Sequence, residues 1–379
     1  MKKFLLKVVL FIFPIALICL PAFLHLRGLG ELMPLSDIVR ENQEKGALVG
    51  FAYSDPGYLL KHQVIQRRSP EVIALGTSRA LQIRSSYFLN PGSFYNCGRS
   101  IARIKDLRSF LNSYLAKSPK LILLSLDQNF FNENYDDFSG EPRLFSGREL
   151  STEGKYLKAL KGFVKVVRKG EFKNPEAQVS RNIGGLARWY QSGFRSDGSY
   201  CYGQIFSVEN DYQFTRTLER IAKNSSRFSV ADKVHSKAVE ELNVFLENCQ
   251  EKGIHVTAFL PPYAKKVYSV LKESEDLYPY VFRLFQELDP VFKNYEMTLF
   301  DFGDMSEFGS NDFETIDGFH ASEICYLRMM LVMSQQDEVV AKYLDRAKAD
   351  ELLRNAYSSR QLVKEVEEES PKPVVLAPQ

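Results

Sequence analysis

A basic surplus is missing from this sequence: 49 Lys and Arg stand against 47 Asp and Glu, a formal charge of +2. Nor do the aromatic residues interleave with Lys or Arg along a stripe, so a nucleic-acid partner is set aside. Cysteine is sparse. Cys19, Cys97, Cys201, Cys249 and Cys325 form no C-x-x-C pair and there is no paired histidine spacing. No zinc or other metal site is therefore expected, and no cofactor motif is present. In an oxidising compartment the last four cysteines can pair, but a chain this long does not need disulfides; otherwise they are small buried hydrophobes. Internal repeats and long low-complexity tracts are also absent, and a hydrophobic share of 45% can supply a real core.

One apolar run is long. Phe4 to Leu24 is broken only by Lys7 and preceded by Lys2 and Lys3, enough to cross a bilayer as a helix. Ile18-Cys19-Leu20-Pro21-Ala22-Phe23-Leu24 offers no clean small-residue cleavage site, which favours an uncleaved signal anchor over residues 1–27. The lysines favour a cytoplasmic N-terminus, so the rest is expected to be periplasmic or extracellular. Residues 28–70, broken by Pro34, Gly46, Gly50, Pro56 and Gly57, read as a juxtamembrane arm.

Beyond the arm the chain alternates. Strands are expected at Glu71–Gly76, Ser93–Cys97, Leu121–Leu126, Ile254–Leu260 and Thr298–Phe302. The run at Leu121–Leu126 is apolar throughout, the mark of a central strand buried on both faces. Helices are expected at Ala80–Phe88, Ser100–Leu115, Val230–Lys252 and, as one or two, Ser269–Asn294. That order predicts an α/β domain over residues 71–335 with a mostly parallel five-stranded sheet in flavodoxin-like order. Residues 132–227 lose the alternation and read as an insertion, and 336–379 as a charged, exposed helical tail, disordered at its end.

Three residues attract chemical attention. Ser78 follows a strand and precedes a helix start, where it either caps the helix or presents a nucleophilic hydroxyl among unpaired N–H groups. Asp317 and His320 lie three apart on the loop after the last strand, so the acid can fix the ring tautomer while the other ring nitrogen takes a proton. A parallel sheet presents both loops on its C-terminal edge.

Gly76-Thr77-Ser78 with the distal Asp317-Gly318-Phe319-His320 resembles the SGNH/GDSL hydrolase superfamily, over roughly Val72 to Val332. Tyr95-Asn96-Cys97-Gly98-Arg99-Ser100 is similar to its second block, and Leu126-Asp127-Gln128-Asn129 to its third. The resemblance implies Ser78 as nucleophile, His320 as base and Asp317 as its orienter, with Asn129 and the backbone of Ile101 at the oxyanion. Thr77 replaces the usual aspartate and Asp127 the third-block glycine. An unpaired carboxylate at Asp127 would oppose a developing oxyanion.

The anchor, the Gly-Thr-Ser block and the insertion look most like the membrane-anchored branch of the superfamily. That branch includes cell-envelope polysaccharide O-acetylation proteins and the D-alanine-transfer protein of teichoic acid. It implies a serine esterase or O-acyltransferase acting on acyl esters of an envelope glycan, working beside a multi-spanning membrane O-acyltransferase. The alternative is a non-catalytic anchored protein that binds a glycan or docks on such a partner. Arg79, Trp189, Arg195, Tyr200 and Tyr263 are expected to contact substrate, the aromatic faces covering apolar sugar faces.

Overall fold

A computed structural model describes Phe4, Phe13 and residues 20–54, 57–113, 115, 117–136, 138, 152–170, 181–204 and 212–364. Most of the expected anchor lies outside the described residues, and among the described ones no helix is long and apolar enough to cross a membrane. The end of the tail, from residue 365, also lies outside them.

Five strands form one parallel sheet: β1 (Val72–Gly76), β2 (Phe94–Gly98), β3 (Leu121–Ser125), β6 (His255–Leu260) and β7 (Thr298–Asp301). Their spatial order is β2-β1-β3-β6-β7, with β3 in the centre. Every residue of β3 is buried, which is why its sequence shows no alternation. The register pairs Val72 with both Phe94 and Leu121, and Leu121 with His255. Gly76, Gly98 and Ser125 therefore reach one edge together. There the order reverses between β1 and β3, the place where open α/β sheets leave a crevice.

Two expected helices are shorter than their apolar periodicity suggests. Instead of a helix over Ala80–Phe88 the chain forms 3-10 turns at Ser78–Ala80 and Ser85–Tyr87. Asn96 causes this: its side-chain amide donates to Ala80 O and Ile83 O, both at 2.8 Å, occupying carbonyls a helix would need. The helix expected from Ser100 begins only at Asp106, whose carboxylate accepts from the N–H groups of Ala102 and Arg103. Helix Ser236–Glu251 begins later than the expected Val230, and the stretch expected from Ser269 as one or two helices forms two, Lys265–Glu273 and Pro279–Lys293, Pro279 opening the second.

Between β3 and β6 the described residues add no strand to the main sheet. They form helices Thr152–Arg168, Gly185–Tyr190 and Thr215–Ala222 and a short antiparallel hairpin, β4 (Gly193–Phe194) with β5 (Tyr200–Cys201). Phe194 exchanges two backbone hydrogen bonds with Val49, which fastens the arm to this hairpin. The arm's helices, Leu35–Lys45 and Gly57–Arg68, bury Ile38, Val39, Leu60, Val64 and Ile65 in the main core.

The expectation of an exposed tail over residues 336–379 is corrected as far as residue 364. Helices Glu338–Tyr343 and Arg346–Arg354 dock on the domain and bury Val340, Leu344, Ala349 and Leu352. Leu344 also bridges to Phe88. Their charged residues occupy only the outer face. Cys97, Cys201, Cys249 and Cys325 are all buried, and Cys97, Cys249 and Cys325 form no disulfide among the described residues. Burial pushes the thiols of Cys97, Cys249 and Cys325 up to about 12.

Candidate active site

The turn that carries Ser78 is built by close packing. A Cβ on Gly76 would stand 2.7 Å from Ser125 Cβ, so only glycine lets β1 and β3 approach this closely before the chain turns. Thr77 then opens the turn, its hydroxyl accepting from Arg79 N–H. Ser78 Oγ emerges 2.9 Å from His320 Nε2, across 242 residues of sequence.

The other half of the relay is a tight loop. Asp317 Oδ1 accepts from the N–H groups of Phe319 and His320, at 3.0 and 2.7 Å. Its carboxylate also faces His320 Nδ1, at 2.9 Å from Oδ2 and 3.1 Å from Oδ1. Gly318 supplies the positive φ of 78° that curls the backbone over the carboxylate, and a Cβ there would press on Phe214 and Val267. Burial works to raise the Asp317 carboxyl, but the charge of His320 and the hydrogen bonds from His320 and Phe319 outweigh it. The net effect holds Asp317 well below the usual carboxylate range. A fixed anion on Nδ1 leaves Nε2 to accept a proton from Ser78.

Asp127, on the loop after β3, is paired. Thr77 Oγ1 donates to its Oδ2 at 2.8 Å and Arg227 approaches the same oxygen at 3.0 Å. These contacts tie the loops after β1 and β3 together and neutralise the carboxylate. Two residues on, Asn129 is buried and its Nδ2 has no hydrogen-bond partner among the described residues. A buried amide donor without a partner is costly unless something occupies it. On the β2 side, Arg99 takes a φ of 67° and donates its N–H to Thr77 O at 3.0 Å. Buried Ile101 follows two residues later.

The residues expected to hold substrate separate into groups. Arg79 is enclosed: its guanidinium donates to Gln128 Oε1, Pro261 O and Pro262 O and lies 4.5 Å from the Tyr263 ring and 4.3 Å from Phe319. Tyr263 is buried with it and donates to Gln128. Both brace the loops after β1, β3 and β6. Trp189 packs in a second apolar cluster with Leu26, Leu29, Leu32 and Tyr53. Arg195 pairs with Glu323 Oε1 at 2.9 Å. Tyr200, with Arg99, Tyr53 and Phe194, lines a pocket of about 240 Å³ between arm and hairpin. Tyr202 stacks edge-on against Tyr200, and its hydroxyl is pushed upward by burial and then by the charge of Asp317.

Sequence reasoning missed Arg227, Thr217 and Glu323. Thr217 Oγ1 donates to Asp317 O, and Glu323, three residues after His320, receives both Arg84 and Arg195. Arg227 and Thr217 lie in the aperiodic insertion, where nothing local marks them as site residues. Glu323 carried a signal as an acid in the first turn of a helix. Comparison with protein-family models, with curated proteins and with solved structures finds no match.

Proposed function

We propose that this chain is a membrane-anchored, extracytoplasmic serine esterase or O-acyltransferase of SGNH type, acting on acyl esters of a cell-envelope glycan. The observation that carries this reading is the Ser78–His320–Asp317 relay at the C-terminal edge of a parallel sheet. Ser78 Oγ attacks the ester carbonyl carbon while His320 Nε2 takes its proton. Collapse of the tetrahedral intermediate expels the alcohol, which leaves with the proton from His320, and the acyl group stays on Ser78. Water or a glycan hydroxyl then attacks the acyl-serine, gives its proton to His320, and Ser78 is regenerated.

Asp317 holds the imidazole and offsets its charge when protonated. Asn129 Nδ2 is the donor suited to the oxyanion, and the pairing of Asp127 keeps a bare negative charge from opposing it. That pairing weighs against the rival reading of a non-catalytic docking protein. A multi-spanning O-acyltransferase is the partner this reading calls for.

A fluorophosphonate probe tests it. The wild-type chain is expected to be labelled and Ser78→Ala to stay unlabelled. Equal labelling of both, or ester cleavage that survives Ser78→Ala unchanged, overturns the reading.

A further inference from the structure

The Thr152–Arg168 helix has two faces of different character. Ala159, Phe163 and Val166 face inward, packed in the cluster that holds Leu26, Leu29, Tyr53 and Trp189. Gly162 sits so close to Tyr53 that a Cβ would strike its carbonyl, which fixes the helix against the arm. On the outer side Tyr156, Leu157, Val164 and Val167 are 37–50% exposed. Scattered apolar side chains on a surface are ordinary, but these share one helix. Beside them Lys161, Lys165 and Arg168 are also exposed and form no ion pair among the described residues. The helix as a whole carries Lys155, Lys158, Lys161, Lys165 and Arg168 against a single acid, Glu153.

What it packs on identifies its neighbour. Helical residues 20–28 begin within the apolar run that starts at Phe4 and continue past its end, and their inner face meets this helix: the His25 ring lies 5.5 Å from Phe163. Their outer face leaves Leu20, Phe23 and Leu24 45–56% exposed. With Phe4–Leu24 in a bilayer, His25 stands where the chain leaves the hydrocarbon, so the Thr152–Arg168 helix lies at headgroup depth. We propose that this helix is a membrane-surface element, its Leu157 and Val164 side chains inserted among the lipids and Lys161, Lys165 and Arg168 on anionic headgroups. An exposed apolar strip flanked by Lys and Arg is the pattern of interfacial helices.

The test uses the full chain carrying Cys19→Ser, with a nitroxide attached at Leu157→Cys or Val164→Cys. The protein is held in nanodiscs of phosphatidylcholine and phosphatidylglycerol, and Leu277→Cys, 48% exposed beyond the Lys265–Glu273 helix, is the aqueous control. The ratio of relaxation by oxygen to relaxation by a water-soluble nickel chelate is expected to be several-fold higher at 157 and 164 than at 277. Adding Lys161→Glu, Lys165→Glu and Arg168→Glu should bring it towards the control. Ratios at 157 and 164 equal to the control overturn the proposal. Shielding from both reagents also overturns it, since a protein surface would then cover the helix. The readout does not involve Ser78, so a failure here and a failure of the proposed chemistry are separate results.

Discussion

At the scale of single residues, the relay predicts behaviour that no count of contacts would. In the proposed chemistry Ser78 and His320 act on one proton, so Ser78→Ala and His320→Ala should each lower ester turnover by several orders of magnitude, and the double variant by little more. Additive losses in steady-state assays would show that they do not form one unit. Asp127 and Arg227 give a second test. Removing Arg227 leaves a fully buried carboxylate with only Thr77 as partner, whereas removing the charge with it relieves that cost. Arg227→Gln is expected to lower stability by about 2–4 kcal/mol, and Asp127→Asn added to it to restore a good part. A double-mutant cycle by urea unfolding measures the coupling; its absence would mean that the pair is not formed in solution. Ser78, Asp317 and His320 were legible because each stands beside a strand end or a turn signal. Arg227 was not, because its partner is fixed only by the folded insertion.

At the scale of elements, apolar runs revealed all the strands of the main sheet, and the starts of helices were the weak point. Asn96 and Asp106 decide where two segments depart from the expected helix, and both do so through side-chain bonds to backbone groups. Such competition with helix hydrogen bonds leaves the apolar periodicity untouched. The Asp317–His320 loop depends on an element-scale feature of the same kind. Its positive φ at Gly318 brings the N–H groups of Phe319 and His320 onto Asp317. Gly318→Ala forces a side chain into an unfavourable backbone region and against Phe214 and Val267, at a cost of about 1–2 kcal/mol. The larger effect is expected on kcat, because the His320 ring moves with its loop. Unchanged turnover with lowered stability would show that the ring is held by other contacts.

At the scale of the whole molecule, the misread segment is the one after Met333. Its charge suggested solvent, yet the spacing of Val340, Leu344, Ala349 and Leu352 gives one apolar face, and Leu362 N–H reaches Glu323 beside the site. What composition could not reveal is the anchor at Asp337. Its Oδ2 accepts from Thr257 at 2.7 Å and meets His255 Nε2 at 3.0 Å, on the central part of the sheet, while Oδ1 caps the following helix. Burial works to raise this carboxyl, but the hydrogen bonds from His255 and Thr257, the charge of His255 and the N–H of Val340 bring it down to about 2. A carboxyl depressed on folding contributes stability that is complete above its unfolded value of about 3.9. That contribution is lost as the pH falls from there through about 2. Asp337→Asn keeps the size and a capping oxygen but not the charge, so it should lower the free energy of unfolding by about 2 kcal/mol at pH 7. The gap from wild type should shrink steadily between pH 4 and pH 2, as wild type itself gives up the ionised carboxylate. Urea unfolding of both chains across that range makes the comparison. A gap independent of pH would mean that Asp337 holds the C-terminal helices by its hydrogen bonds alone, with no part played by its charge.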